Sequence, residues 1–115
     1  MVIVLFEVVI KEGKMTQYLD MAATLKEELT KAKGLIRTER FSSLAQEGKL
    51  LSLSIWESET AVTMWRNQMA HRYSQKTGRD ALFEDYKITV VAPIRTYTLD
   101  SREQAPTDSN IFFQL

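Results

Sequence analysis

Residues 2–10 read VIVLFEVVI, and their alternation is apolar on both sides. Val2, Val4, Phe6, Val8 and Ile10 fall on one face, and Ile3, Leu5, Glu7 and Val9 fall on the other. β-branched and aliphatic residues in this density suit a strand, and a strand apolar on both faces needs cover on both. Residues 87–97 impose the same condition through Ile88, Val90, Val91, Ala92 and Ile94. Pro93 has no amide to donate, which puts that strand at an edge or a bulge. A chain of 115 residues has one core with which to meet these demands.

Between the two strands the hydrophobic period changes. Met15, Tyr18, Ala22, Leu25, Leu29 and Ala32 recur at steps of three and four, the stripe of an amphipathic helix. Glu27 and Lys31 form an i,i+4 pair on its solvent side, and Gly34 stands where a helix end favours positive φ. Residues 35–43, with Arg37, Glu39 and Arg40, resemble an edge strand, and residues 44–49 supply a hairpin loop. In residues 50–56, Leu51, Leu53 and Ile55 oppose Ser52, Ser54 and Trp56. Ser58 is a candidate N-cap, with Glu59 in the first turn of a helix reaching about Thr77 and stopping at Gly78. Residues 80–86 read as a further helical turn or two. Residues 100–110 are polar and contain Pro106, as a linker would, and Ile111, Phe112 and Phe113 close an apolar terminus.

The order is β-α-β-β-α-β, the split βαβ arrangement of a ferredoxin-like α+β fold with an antiparallel sheet. Two helices cover one sheet face, so the other requires a partner, most simply a second copy about a twofold axis. A domain at residues 1–98 is expected, followed by a tail, 99–115, docking on its own or a partner subunit. Fifteen basic and fifteen acidic side chains cancel, leaving no electrostatic footprint for nucleic acid or an anionic membrane. The absence of cysteine excludes disulfides, thiolate nucleophiles and thiolate metal sites. No leader or membrane-length apolar run is present, and the expected location is cytoplasmic.

Chemistry-bearing residues gather in the second helix. On a helical wheel centred on Trp65, Val62, Met69 and Tyr73 form a core stripe, and the other flank carries Gln68, Gln75, His71 and Met64. That flank is polar without charge. With Trp65 it would border a pocket for an oxygen-substituted aromatic. An aromatic on an apolar stripe, such as Trp65, is more often core packing, Trp56 could equally be just that, and a lone histidine on a helix flank is more often solvated or structurally hydrogen-bonded than catalytic. His71, with an ordinary pKa of about 6.5, could act as a base at neutral pH. One histidine with scattered carboxylates gives no metal-ligand spacing, and no nucleotide or flavin glycine pattern occurs.

Glu39-Arg40-Phe41, residues 50–56 (LLSLSIW), Ala61-Val62, Trp65-Arg66, His71-Arg72, Gln75, Gly78-Arg79, Phe83 and Tyr86 together resemble the antibiotic biosynthesis monooxygenase family over about residues 1–98. The resemblance implies a ferredoxin-like fold pairing sheet to sheet into a dimeric α+β barrel. It also implies oxidation of a phenolic or quinol-type aromatic substrate by dioxygen, with no metal or flavin cofactor. Trp65 would then stack on the substrate and His71 assist proton transfer, with Gln68, Gln75 and Met64 binding substrate. A related haem-degrading branch uses a first-strand asparagine, a tryptophan and a later histidine. Here Trp65 matches, but Phe6 and Gln75 occupy the other two places, which disfavours haem. A small-molecule-binding homodimer without turnover is the alternative from outside enzymology.

Overall fold

Strand β1 (Val2–Ile10) fills the position its two apolar faces require, inside the sheet. In a computed structural model the chain continues through α1 (Met15–Leu29), β2 (Leu35–Ser42), β3 (Lys49–Trp56), α2 (Glu59–Lys76), β4 (Phe83–Val91) and α3 (Thr107–Phe112). The structure describes residues 1–76 and 81–113, and side chains over 1–69 and 81–113. The four strands form one sheet in the order β2-β3-β1-β4, every pairing antiparallel. The expected α+β, ferredoxin-like βαββαβ arrangement is the observed one.

Register assigns each strand residue to a face. Val2 opposes Trp56, Phe6 opposes Ser52 and Val8 opposes Leu50, so the even-numbered residues of β1 share a side with Trp56 and Leu50. The core lies on this side: Val8, Ile10, Leu50 and Phe83 from the sheet pack with Tyr18, Ala22 and Leu82. An aromatic run extends it, with Phe6 5.9 Å from both Phe83 and Tyr86 and Tyr18 5.7 Å from Phe83. The opposite face carries Ile3, Leu5 and Val9 beside Leu51, Leu53 and Ile55. Glu7 sits among them, with Oε1 3.8 Å from Lys49 Nζ and Oε2 3.2 Å from Lys87 Nζ.

Several boundaries differ from the sequence expectation. The helical extension expected over residues 80–86 is not seen at 81–86, Asp80 lying outside the described residues: after a turn at 81–82, Phe83 enters β4 and pairs with Ile10 across a register shift at Val9/Ile10. The strand ends at Val91, so Pro93 follows it instead of sitting within it. β4 is an edge strand with little cover, Ile88 being 57% and Val90 48% exposed. Helix α1 stops at Leu29, leaving Lys31 and Ala32 beyond its end. The polar segment expected as a linker contains the start of α3. Among the described residues no helix is long and apolar enough to cross a membrane.

Candidate functional site

The candidate site is a cleft of about 400 Å³ between the turn after α1 and the first turns of α2. Its lining is Glu28, Lys31, Ala32 and Lys33 on one side and Ala61, Met64, Trp65 and Gln68 on the other. Both walls are fixed by local chemistry. Beyond Leu29 the chain continues in i→i+3 steps, Lys31 N donating to Glu28 O (3.1 Å) and Ala32 N to Leu29 O (2.9 Å). Thr30 Oγ1 donates to Glu27 O at 2.8 Å, closing the helix end. Gly34 then turns with φ +89°, and a Cβ at this position would come within 2.6 Å of Ala61 Cβ. Glu57 N donates to Gly34 O at 2.8 Å, tying the turn to the approach of α2. Ser58 caps that helix as its sequence predicts, accepting from Ala61 N at 3.2 Å.

Trp65 is seated on the sheet through Trp56, the ring centroids 6.3 Å apart and tilted by 34°. Trp56 is 1% exposed, and its Nε1 donates to Ser54 Oγ at 2.8 Å. A buried, hydrogen-bonded indole therefore backs the half-buried one that lines the cleft. The arrangement is an aromatic and thioether wall from Trp65 and Met64, an amide from Gln68, and two lysines, Lys31 and Lys33, against one carboxylate, Glu28. Such a cleft can hold a flat ring by stacking while favouring its anionic form through nearby positive charge.

Three of the five expected site residues, Met64, Trp65 and Gln68, are thus brought together. His71 and Gln75 lie on the helical backbone of α2, but their side chains are outside the described residues. Val62, Trp65 and Met69 are half-buried as the core stripe requires, and Tyr73 is again outside the described side chains. The lysine rim was not legible in the sequence, where the period of α1 makes Lys31 a solvent-side partner of Glu27. Gly34 was the available signal, because a turn forced there carries residues 31–33 toward α2.

Phe6 stands on β1, where the resemblance to the haem-degrading branch would call for an asparagine. It packs edge-on against Phe83 and Tyr86, and a phenyl ring offers no hydrogen bond to a ligand. Tyr18, 4% exposed, is held protonated: burial raises its phenol above the ordinary 10.0, partly opposed by the Arg40 guanidinium. Among the described residues no three His, Cys, Asp or Glu side chains converge. A second concavity of about 380 Å³, lined by Leu5, Glu7, Phe41 and Leu51 among others, lies toward the uncovered sheet face.

The family described as antibiotic biosynthesis monooxygenase matches residues 1–77. A curated relative, a jasmonate monooxygenase from Pyricularia oryzae, is 36% identical over 110 residues, covering 88% of this chain and 51% of its own length. The chain thus spans about half of that relative. SnoaB, a cofactor-independent oxygenase from Streptomyces nogalater, superposes with a TM-score of 0.68 at 11% identity, over 83% of this chain and 94% of that one. A Pseudomonas aeruginosa protein, PA3566, gives 0.70 at 14% identity, over 82% and 94%. At such identities these two structures establish the shared fold.

Proposed function

The chain belongs to the antibiotic biosynthesis monooxygenase family, and on that premise we propose that it oxidises a phenolic or quinol-type aromatic substrate with dioxygen, without metal or flavin. The observation that carries this is the cleft that Trp65 and Met64 share with Lys31, Lys33 and Glu28, two positive groups against one negative. An electron-rich ring reacts with dioxygen as its anion. Ammonium groups beside the ring stabilise that anion, and the Trp65 wall holds the ring in one plane. For a simple phenol the balance closes without an outside reductant. Phenol and dioxygen give a quinone and water: one oxygen atom forms the new C=O bond, and the other leaves as water with two substrate hydrogens. Substrate supplies all four electrons. The proton released on forming the phenolate passes to a base, the role given to His71, and Gln68 and Gln75 orient the ring oxygens.

Dioxygen uptake tests this with metal-free protein and a panel of hydroquinones and anthrones. Uptake is expected with at least one compound, and Trp65→Ala should lower it about tenfold, equivalent to about 1.4 kcal/mol of barrier. No uptake above the Trp65→Ala background across the panel would overturn it. Ligand-dependent quenching of Trp65 fluorescence without uptake would support the non-catalytic binder.

The lysine rim and the jasmonate-named relative favour a second reading, in which the cleft takes a carboxylate whose ring is not electron-rich. Such a substrate cannot donate the electrons, so its oxidation would proceed only with an added reductant. That requirement separates the two readings in the same assay.

The functional unit in this proposal is a homodimer in the cytoplasm. Ile3, Leu5, Leu51, Leu53 and Ile55 form an apolar sheet face opposite the core, and a second copy's identical face covers it about a twofold axis.

A further inference from the structure

The C-terminal segment beyond β4 is a built object. Arg102 organises it: Nε donates to Asn110 Oδ1 (3.1 Å), Nη2 to Ser109 Oγ (2.9 Å) and Nη1 to Thr98 O (3.3 Å). Its guanidinium lies 5.1 Å from the centre of the Tyr97 ring. Thr96 N donates to Gln104 Oε1 at 2.7 Å, and Thr98 N to Ser101 O at 2.8 Å, folding the connection back on itself. A six-residue helix such as α3 does not hold itself together in water, and this network supplies what the helix lacks.

What the network presents is apolar. Ile111, Phe112 and Phe113 are 71%, 78% and 60% exposed, the two phenyl rings meeting edge to face at 4.9 Å. The chain as a whole is also extended. The radius of gyration is 17.2 Å and the long axis 53 Å, whereas a compact domain of this length has a radius of about 13 Å. On the sheet, Ile88 and Val90 pair with Phe6 and Val4 on the helix-side face, yet remain 57% and 48% exposed.

We propose that the C-terminal segment is an exchange arm, packing Ile111, Phe112 and Phe113 onto the Ile88–Val90 flank of β4 in a second copy of this chain. The inference rests on the dimer proposed above. With the arm held by Arg102, the Ile88–Val90 flank of the same chain stays open. Two copies related by a twofold axis each offer one arm and one flank, a contact that closes upon itself. At 78% and 60% exposure the two phenylalanines have about 200–350 Å² left to bury per arm, a third or so of the roughly 800 Å² per partner of a stable interface. A neutral chain opposes none of this by charge.

The absence of cysteine makes the test direct. Full-length Ile88→Cys and Phe112→Cys variants, each at an exposed site, are co-expressed, oxidised mildly and run without reductant. A covalent dimer is expected from the pair and from neither variant alone. Sedimentation at twice the chain mass with no covalent dimer would overturn the arm and leave the dimer. Sedimentation of a monomer would overturn both. In a double Ile88→Cys, Phe112→Cys chain, a bridge closed within one molecule would show the arm on its own body and overturn the exchange.

Discussion

Gly34 is the residue on which the candidate site's shape depends most. It combines φ +89° with a contact distance to Ala61 that leaves no room for a methyl group. A left-handed conformation costs an L-residue about 1–2 kcal/mol, and forcing a methyl into a packed gap about 1–3 more. Gly34→Ala should therefore lower stability by about 2–5 kcal/mol in urea unfolding. Tyr18 gives a pH signature. Its folded-state phenol titrates above the ordinary 10.0 because it is buried, so the fold prefers the protonated form. The stability this contributes is complete below the unfolded pKa and is lost as pH rises through the folded one. Tyr18→Phe should lose less stability than the parent chain between about pH 8 and strongly alkaline conditions, where tyrosine ionises; equal losses would contradict the assignment. At this scale the sequence was readable wherever a residue type has one physical use. Gly34 at a positive φ and Ser58 as a cap are of that kind. Lys31 is not, because a lysine after a helix looks the same whether it meets water or rims a cleft.

Among the elements, those with a strong period were legible and those set by distant pairing were not. β1 begins and ends where its alternation does, and α2 runs from the residue after Ser58. β4 was misread at both ends. Leu82, Phe83 and Tyr86 have a spacing a helix could use, and only pairing with β1, seventy-odd positions earlier, makes Phe83 extended. The apolar residues after Val91 lie past the paired strand. The start of α2 offers its own test. Ser58→Ala removes the acceptor for Ala61 N and should cost about 1 kcal/mol of unfolding free energy. Because Ala61 lines the cleft, the same variant should raise KM more than it lowers kcat if the helix start only shapes the binding wall.

For the whole molecule, the decisive property is that one sheet face and one C-terminal arm are apolar and lack cover among the described residues. The proposed homodimer would answer the first, and sedimentation at micromolar concentration should then give twice the 13.3 kDa chain mass. The arm and its partner flank answer the second, but nothing in the periodicity of residues 100–110 announced α3, because Arg102 rather than an apolar stripe assembles it. The central claim is that the Trp65 cleft lets a substrate reduce dioxygen itself. Metal-free protein turning over a hydroquinone or anthrone under ¹⁸O-labelled dioxygen should place one labelled atom in the product and one in water, with turnover falling in Trp65→Ala. Product carrying no label, or turnover unchanged by Trp65→Ala, would contradict it.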